Sequence, residues 1–462
     1  MSITVSNVIT IDNPSAELLK WCRQNLKLKN PEYTKKQRMH FWVGNTPEYL
    51  YLYETHGDKL VLPFGVLRNI IPIIDVNDLK MDFPVPVKID YGCNIPLYDY
   101  QEKAVEEVYW KHYGILQSAA GSGKTQMGIA LIAKLGKRAL WLTHTKDLLL
   151  QSKDRAKQYM GEALLGTITE GKVNIGHGIT FATVQTMCNL DLAQYKNMWD
   201  VIIVDECHRV AGTPTAVSQF SKVLNSLSAR HKYGLSATVH RSDGLIQATF
   251  ALLGDVVYTV PTEVVADKIM KVGINPIPTG IGLSRASLNT DGTLNYAKLI
   301  GYLTESEERN KLIVECITAD RDKPALILSD RLGHLETLMS MLPADMREDA
   351  VMVSGKMTTK KGKAEREQAI ADMRTGEKRY LFATYSLAKE GLDVPRLERL
   401  YMATPQKDYA VITQAIGRIA RTSKGKADPV VYDFVDDIQY LVKAYKKRCT
   451  TYRKNGAYFV ER

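Results

Sequence analysis

The glycine-rich stretch at residues 117–125 contains the residue types that hold a triphosphate. Its glycines allow backbone N–H groups to close around phosphate oxygens, Lys124 can reach the β- and γ-phosphates, and the Thr125 hydroxyl can bind Mg²⁺. Ser118 stands where the usual pattern, G-x-x-x-x-G-K-[ST], has its first glycine. A strand pattern precedes the loop and a helical pattern follows it, so an ATP-binding loop is favoured over a solvated turn. The candidate loop residues are Ala120, Gly121, Ser122, Gly123, Lys124 and Thr125.

An acidic pair, Asp205 and Glu206, follows an apolar run of four residues. Carboxylates at a buried strand end are unfavourable unless a cation or a reactant uses them. We therefore assign Asp205 to the Mg²⁺ that bridges the β- and γ-phosphates, and Glu206 to orienting and deprotonating the attacking water. The alternative is an acidic strand end that faces solvent. His208 is interpreted as a coupling residue that hydrogen-bonds towards Gln414 or Ser236, and not as a metal ligand.

Positive charge near the γ-phosphate is predicted to come from residues 414–421. If this segment is helical, Gln414, Arg418 and Arg421 lie on one face at i, i+4 and i+7. Two guanidinium groups on that face could act as arginine fingers. Such a site is complete only when two sheet domains close, which is the behaviour of a motor. A basic helix face by itself is usually solvated, so this interpretation depends on the combination of all three stretches.

The elements that position these residues follow from the hydrophobic pattern. From about residue 90 to 260, and again from about 263 to the end, short apolar strands alternate with helical stretches, which indicates parallel sheets covered on both faces. Ligands bind at the carboxyl ends of such strands, where the polar residues are found. Strands are predicted at 113–116, 139–142, 179–182, 201–204 and 233–235 in the first set, and at 325–328, 380–383, 400–403 and 430–433 in the second.

Residues 1–90 contain no phosphate-binding motif and are predicted to form a small α+β domain. A helix is predicted over 16–28, and antiparallel strands over 41–43, 49–53 and 59–62. The alternate tyrosines of 49–53 share a strand face, where packing is favoured over a base-stacking platform. A proline-bearing linker is predicted at 81–87. The predicted domains are therefore 1–90, expected to bind duplex or branched DNA, 91–262, which binds ATP, and 263–462, which includes a basic C-terminal segment.

The charge balance suits a polyanionic partner. Lysine and arginine number 61 against 51 for aspartate and glutamate, a formal net charge of +10. Seven basic residues and one acidic residue lie within the last 22 positions, interleaved with aromatic residues. This segment could bind phosphates and bases, or it could be a solvated helix whose aromatic residues pack on the last domain.

The remaining composition predicts a globular protein of a reducing compartment. The six cysteines are scattered, so neither a disulfide framework nor a zinc site is indicated. The sequence has no membrane-spanning run and no signal peptide, which predicts a cytoplasmic location, in the host cytoplasm if the protein is viral, with a nucleoplasmic location as the alternative.

Taken in order, the motifs resemble those of the superfamily 2 helicases and translocases over roughly residues 95–435. The matching positions are Gln101, residues 120–125, residues 205–208, Ser236-Ala237-Thr238, Thr384 with residues 390–393, Gln414, Gly417, Arg418 and Arg421. The resemblance implies an α/β fold of two tandem RecA-like parallel-sheet domains, with ATP between them and nucleic acid across their top, plus the small N-terminal α+β domain. The chain is most similar to phage branch-migrating DNA helicases of the UvsW type, which are XPB-related. Residues 97–101, residues 241–243 and the small N-terminal domain carry this finer likeness.

The resemblance also implies roles for individual residues. Gln101 is expected to read the adenine edge, with Tyr98 or Tyr100 stacking on the ring, and Gly391 and Asp393 are expected at the nucleotide. The expected coupling residues are His208, Ser236 and Thr238. The expected contacts to the nucleic-acid backbone are Thr143, His144, Thr183, Gln185, Arg241, Ser329 and Thr384.

The implied activity is that of an ATP- and Mg²⁺-dependent DNA helicase or translocase that unwinds or migrates forks and junctions in replication, recombination or repair. Its expected partner is branched DNA, bound without sequence preference, and replication or recombination proteins are candidate partners. An RNA helicase remains an alternative, because the core motifs do not distinguish ribose from deoxyribose. A nucleic-acid clamp or annealing protein, in which ATP only switches affinity, is the alternative from another class.

Overall fold

The computed structural model describes residues 2–119, 121–239, 244–261, 263–264, 270–355, 357, 359–389, 392, 394–423 and 425–460. The chain divides into two compact units, residues 1–119 with 123–261 and residues 120–122 with 262–462. Within the described ranges, none of the helices combines the length and the apolar character that crossing a bilayer requires.

The first unit begins with a small α+β module. Its helices are α1 (Ala16–Asn25), α2 (Pro31–Arg38) and α3 (Leu67–Ile70), and its strands are β1 (Ser2–Val5), β2 (Val8–Asp12), β3 (Lys27–Lys29), β4 (Tyr49–Tyr51), β5 (Glu54–His56), β6 (Lys59–Pro63) and β7 (Leu79–Met81). Five strands form a sheet in the order β5-β6-β2-β1-β7, which is antiparallel except for the β1–β7 pair. Strands β3 and β4 form a separate antiparallel pair. The predicted α+β character is confirmed.

Several local predictions for this module were wrong. The pattern reading missed β1 and β2, although the alternate residues Ile3, Val5, Ile9 and Ile11 are fully buried on one face. The strand predicted at 41–43 is a loop, in which the side chains of Phe41 and Trp42 are exposed to solvent. The predicted helix 16–28 ends at Asn25, since the chain turns there to enter β3.

The rest of the first unit is an eight-stranded sheet. Its strands are β8 (Tyr113–Gln117), β9 (Ala139–Thr143), β10 (Leu165–Thr169), β11 (Lys172–Asn174), β12 (Ile179–Thr183), β13 (Val201–Asp205), β14 (His231–Ser236) and β15 (Val256–Thr259). Its helices are α4 (Asp99–Lys111), α5 (Lys124–Leu135), α6 (Lys146–Met160), α7 (Val184–Met187), α8 (Pro214–Ser226) and α9 (Ile246–Leu253). The order is β11-β10-β12-β9-β13-β14-β8-β15, and only the β10–β11 pair is antiparallel. The predicted parallel sheet is confirmed.

The module packs directly against this sheet. The rings of Phe64 and Tyr113 meet edge to face with centroids 4.9 Å apart, and the Arg68 guanidinium lies 3.8 Å from the Tyr113 ring centroid. At Gly65, an added Cβ would lie 2.4 Å from the Gly254 backbone nitrogen. Only glycine permits that approach, so the position of the module is fixed by backbone contact.

A buried lysine, Lys232, joins the same two parts. Its Nζ donates to the carbonyl oxygens of Asn7 at 3.1 Å and Leu224 at 2.8 Å. Burial lowers the pKa of Lys232 from 10.5 to about 7. The charged form is therefore disfavoured in the folded state, with the full penalty below about pH 7 and progressive relief as the pH rises towards the unfolded pKa.

Between pH 7 and pH 9, the free energy of unfolding of the first unit should rise by roughly 2 kcal/mol more in wild type than in Lys232→Met. Urea unfolding followed by tryptophan fluorescence measures this, because all five tryptophans, Trp21, Trp42, Trp110, Trp141 and Trp199, belong to the first unit. Identical pH dependence in the two proteins would contradict the assignment.

The second unit contains a seven-stranded, entirely parallel sheet in the order β18-β19-β17-β20-β21-β16-β22. Its strands are β16 (Gly273–Gly282), β17 (Ala325–Ser329), β18 (Ala350–Val353), β19 (Tyr380–Thr384), β20 (Arg399–Met402), β21 (Val430–Asp437) and β22 (Tyr458–Phe459). Its helices are α10 (Tyr296–Glu305), α11 (Glu307–Ala319), α12 (Leu332–Met341), α13 (Ala344–Glu348), α14 (Lys360–Thr375), α15 (Tyr385–Lys389), α16 (Tyr409–Ile419) and α17 (Gln439–Lys454). Short 3₁₀ turns at Phe64–Val66, Ile71–Ile73, Val76–Asp78, Leu192–Tyr195, Cys207–Arg209 and Arg285–Ser287 complete the described elements.

The basic C-terminal segment is amphipathic. Helix α17 buries Arg448, which pairs with buried Asp433 through Nε and Nη2, both at 2.8 Å. The Tyr452 hydroxyl, also buried, donates to the same carboxylate at 2.6 Å. The other lysines and arginines of 443–454 are exposed. One face of the segment therefore belongs to the core of the second unit, and the other carries the charge.

Candidate active site

The glycine-rich loop connects β8 to α5. Gly121 and Gly123 have φ angles of +84° and +81°, a backbone region that favours glycine, and α5 begins directly at Lys124. The Lys124 side chain is buried, and its Nζ lies 3.3 Å from the carbonyl oxygens of Ser118 and Ala119. A buried ammonium at a helix N-terminus fits a polyanionic ligand, so the loop is suited to a triphosphate.

Gln101 lies beside this loop. An added Cβ on Gly123 would be 2.4 Å from Gln101 Nε2, so the Gln101 amide lies directly against the loop backbone. The Tyr98 backbone N–H donates to Gln101 Oε1 at 3.0 Å, which fixes the amide at the start of α4. Tyr98 and Tyr100 stack with centroids 5.9 Å apart, and Tyr98 is exposed. The arrangement brings a fixed amide to the loop and places an exposed tyrosine at the same helix start.

The acidic pair lies at the carboxyl end of β13. Asp205 is buried and accepts hydrogen bonds from Ser152 Oγ at 3.2 Å and from the Glu206 backbone N–H at 2.9 Å. Burial, followed by the neighbouring Glu206 charge, raises the pKa of Asp205 to about 6. A bound divalent cation would stabilise the ionised carboxylate, so this residue fits a Mg²⁺ ligand.

Ser152 is a site residue that the sequence reading missed. It lies on α6 and is buried between Leu149 and Ala156, three residues before it and four after it. A polar residue on an apolar helical stripe is the signal that could have identified it, because a buried hydroxyl needs a partner.

Glu206 starts a chain of polar contacts that runs along the sheet edge. Its backbone has φ +46°, an uncommon and strained value for a residue other than glycine. Glu206 Oε2 lies 3.2 Å from His208 Nδ1, which is 3.0 Å from Ser236 Oγ. Ser236 Oγ in turn donates to the Thr238 carbonyl at 2.7 Å. The predicted contact between His208 and Ser236 is therefore present, and the proposed coupling residues form one connected chain.

The loop joins this chain through the backbone, because the Ser118 N–H donates to the Ser236 carbonyl at 3.0 Å. Ser118, which replaces the first glycine of the pattern, is itself buried. The loop, the acidic pair and the Ser236–Thr238 segment are thus brought together at one edge of the first sheet.

Helix α16 in the second unit carries Gln414 and Arg418. Gln414 Oε1 is buried, and no hydrogen-bond partner for it exists among the described residues. The prediction that Arg421 shares their helix face was wrong, because α16 ends at Ile419. Lys426 Nζ donates to the carbonyl oxygens of Ile419 and Arg421, both at 2.7 Å. These bonds supply hydrogen-bond donors to backbone carbonyls at the C-terminal end of the helix.

The polar strand ends of the first unit divide into two groups. The hydroxyls of Thr143 and Thr183, which pair across β9 and β12, are buried and bonded internally, to the Thr145 carbonyl at 3.0 Å and to Thr186 Oγ1 at 3.0 Å. Gln185 and His144 are half-buried and contact each other at 3.1 Å between Nε2 and Nδ1. The side chains of Gln185 and His144 are therefore better placed for an external ligand than the two threonine hydroxyls.

A similar distinction applies to the second unit. The Ser329 hydroxyl is fully buried, 3.0 Å from His334 Nδ1, and it accepts the Arg331 N–H at 3.1 Å. The hydroxyl is therefore occupied inside the fold, and the assignment of Ser329 as a nucleic-acid contact stays a prediction. Thr384 is half-buried, with Oγ1 2.9 Å from Ser386 Oγ.

Four predicted site residues, Ala120, Arg241, Gly391 and Asp393, lie outside the residues that the structure describes. Their assignments stay predictions.

Two family profiles match the chain. One, described as "Type III restriction enzyme, res subunit", matches residues 94–241, and the other, "Helicase conserved C-terminal domain", matches residues 308–423. Together they cover more than half of the chain, and they contain the loop, the acidic pair and helix α16.

Curated relatives extend the match. The protein named probable helicase D10 of Escherichia phage T5 is 24% identical over 92% of this chain and 91% of its own length. The DNA 3'-5' translocase XPB2 of Sulfurisphaera tokodaii is 24% identical over 77% of this chain and 84% of its own length. Protein L396 of Acanthamoeba polyphaga mimivirus, whose name describes an ATP-dependent RNA helicase, is 26% identical over 76% of this chain, and the match spans 65% of that protein.

Solved structures align with most of the chain, and the likeness to S. cerevisiae Dbp5 shows a shared fold. S. cerevisiae Dbp5 bound to RNA and ADP BeF3 superposes with a TM-score of 0.53 at 17% identity, covering 81% of this chain and 96% of that chain. T4 UvsW aligns over 100% of this chain and 99% of that chain, with a TM-score of 0.42 and 19% identity. The parallel sheets of the two units are RecA-like, as predicted.

Proposed function

This chain belongs to the superfamily 2 helicases, which are nucleic-acid-dependent ATPases, and on that basis we propose that it is a DNA translocase that remodels forks and junctions. The observation that carries this proposal is the N-terminal module, which is held against the ATP-binding sheet by backbone contact at Gly65 and by the buried Lys232. A module fixed in this way would move with the sheet during each catalytic cycle. It could therefore act on the DNA ahead of the motor.

The chain's own residues suggest how hydrolysis would be controlled. Residues 121–125 and Gln101 would hold ATP, and Thr125 with Asp205 would hold Mg²⁺. Bound ATP would supply the phosphoanhydride bond whose hydrolysis drives movement. Glu206 would orient the attacking water and accept its proton, and His208 would hold that carboxylate in position.

The contacts from Glu206 to Thr238 support a coupling role for His208, Ser236 and Thr238. His208 Nδ1 lies 3.2 Å from the Glu206 carboxylate, and hydrogen bonds continue from His208 through Ser236 to Thr238 along the sheet edge. The roles of Arg418 and Arg421 as arginine fingers, and of His144, Gln185 and Thr384 as backbone contacts, remain part of this proposal.

The proposal is tested by ATP-dependent strand displacement on a fork, a four-way junction and a linear duplex. We expect wild type to act on the branched substrates in preference to the linear one, and Lys124→Ala to lose displacement because the phosphates lose their cation. Lys134→Ala is the matched control, since Lys134 lies on the same helix and pairs with Glu106 on the surface. Equal displacement by Lys124→Ala and wild type would contradict the proposal.

An RNA helicase is the second candidate, favoured by the name of the mimivirus relative and by the RNA-bound structural neighbour. Stimulation of ATP hydrolysis by matched DNA and RNA oligonucleotides distinguishes the two. A clamp or annealing protein would instead bind in an ATP-dependent manner without directional displacement.

A further inference from the structure

The loop that follows helix α2 presents large apolar side chains to solvent. Trp42 is 88% exposed and Phe41 60% exposed, and Met39 next to them is 48% exposed. We call residues 39–47 the aromatic loop. Exposing an aromatic cluster of this size is unfavourable in water, so a partner that covers it is expected.

The aromatic loop is held in place by hydrogen bonds to α2. The Phe41 N–H donates to the Lys36 carbonyl at 2.8 Å, and Lys36 Nζ donates to Thr46 Oγ1 at 2.6 Å. Asn30 Nδ2 donates to the Pro47 carbonyl at 2.8 Å, which closes the base of the loop. The exposure of the rings is therefore a property of a fixed loop.

One glycine allows the indole to take its position. Gly44 has a φ of +51°, and a Cβ there would lie 3.0 Å from Trp42 Cζ3. The Trp42 ring therefore packs against the backbone of its own loop, and 88% of the residue remains accessible. A tryptophan held on one side and open on the other provides a ready stacking surface.

The charge around the loop favours a polyanion. Residues 33–47 contain Lys35, Lys36, Arg38 and His40. The acidic residues on either side are Glu32, which pairs with Lys36 at 3.3 Å, and Glu48, which pairs with Lys29 at 3.8 Å. Lys35 and Arg38 are exposed at the end of α2, next to the aromatic rings. Cations that bind phosphates, interleaved with aromatic rings that stack on bases, are the combination that binds single-stranded nucleic acid. Residues 27–48 contain five lysines and arginines against two glutamates, and this basic excess beside exposed rings favours a nucleic acid over a protein partner.

The aromatic loop lies at the functional edge of the first sheet. A groove of about 560 Å³ separates it from the start of α8, and its lining includes Trp42, the paired side chains of Glu32 and Lys36, Pro214 and Ser218. Helix α8 follows β13, so its first turn lies at the carboxyl edge of the sheet, where the catalytic carboxylates are found.

The opposite end of α8 is also bound by the N-terminal module. Ser6 Oγ lies 3.1 Å from Ser228 Oγ, and Asn7 Nδ2 donates to the Asn225 carbonyl. The module therefore contacts the C-terminal end of α8 and faces the first turn of α8 across the groove, which places the aromatic loop near the carboxyl edge of the sheet.

We propose that the aromatic loop is a binding site for single-stranded nucleic acid, in which Trp42 stacks on an unpaired base while Lys35 and Arg38 neutralise the flanking phosphates. The inference rests on the proposed function and deepens it, because it gives the N-terminal module a specific contact with the strand. Phe41 offers a second stacking surface in the same loop.

The test is the affinity of the 462-residue protein for fluorescein-labelled dT12 and rU12, measured by anisotropy without ATP. We expect Trp42→Ala to weaken binding at least about fivefold. Trp42→Phe should restore most of the affinity and Trp42→Leu should not, because stacking needs an aromatic face. The dT12 and rU12 arms show whether the strand is DNA, RNA or either. Trp110→Ala is the matched control, since Trp110 is 67% exposed on α4 of the same unit.

A second measurement keeps the test valid if a variant folds poorly. Wild-type protein is photocrosslinked to an oligonucleotide that contains 5-iodouracil, and the crosslinked peptide is identified by mass spectrometry. A crosslink within residues 33–47 supports the proposal. Wild-type affinity in Trp42→Ala, or crosslinks confined to other segments, would overturn it. Failure of the proposed function would instead appear as absent strand displacement in wild type, so the two failures are distinguishable.

Discussion

Replacing Glu206 by glutamine is expected to lower the rate of ATP hydrolysis at least about 100-fold while ATP binding is retained. The amide keeps the size of the carboxylate but has no basic oxygen to accept a proton from water. The structure places this carboxylate next to the buried Asp205 and 3.2 Å from His208 Nδ1, on a strained backbone that fixes its direction. Because Asp205 and Lys124 are unchanged, the affinity for Mg²⁺ and triphosphate should remain close to that of wild type.

The measurements are kcat for ATP hydrolysis with saturating nucleic acid, and binding of a fluorescent ATP analogue. Glu162→Gln is the matched control, because Glu162 is an exposed carboxylate of the same unit that pairs with Lys153 and Lys157. Near-normal turnover by Glu206→Gln would refute its role as the base. Loss of nucleotide binding together with turnover would point to a disturbed site instead.

Replacing Arg448 by methionine is expected to lower the free energy of unfolding of the second unit by about 3–5 kcal/mol. The change leaves Asp433 buried without its cation, and among the described side chains Tyr452 remains as its donor. Removing one partner of a buried ion pair costs more than removing both. The double variant Arg448→Met with Asp433→Leu should therefore recover part of the loss.

Hydrogen exchange of peptides from β21 and α17 during urea unfolding measures this effect in the second unit. Lys447→Met is the matched control, because Lys447 is the exposed neighbour on the same helix. Tryptophan fluorescence reports the first unit alone and should show an unchanged transition. If Arg448→Met and Lys447→Met had equal effects, the buried pair would not stabilise the unit.

The buried Arg448 also changes how the basic C-terminal segment should be tested. Truncation after residue 435 would remove Arg448, Tyr452 and strand β22, so a loss of nucleic-acid binding could reflect a damaged sheet. Substituting the exposed cations of 443–454 leaves the buried face intact and therefore isolates the contribution of charge.

The sequence by itself determined the two parallel sheets and the residues at their strand ends. Runs such as 201–204 are buried on both faces of the sheet, and burial on both faces restricts such a strand to apolar residue types. The chemistry of phosphate and Mg²⁺ binding limits the loop and the acidic pair in the same way. For these features the pattern and the structure agree, because the constraint is local to each segment.

The tertiary structure alone decided which polar side chains are exposed to a ligand and which are buried in internal hydrogen bonds. Ser329 and Thr183 read as strand-end hydroxyls, and their burial depends on His334 and Thr186, contacts that no spacing rule predicts. Ser152 meets Asp205 across 53 positions of sequence. Trp42 read as part of a strand, and only the packing of the module left it exposed at the edge of the ATP-binding sheet. The burial of a side chain and the identity of its hydrogen-bond partner depend on how distant segments pack together. Motifs and periodicity, in contrast, are properties of neighbouring residues.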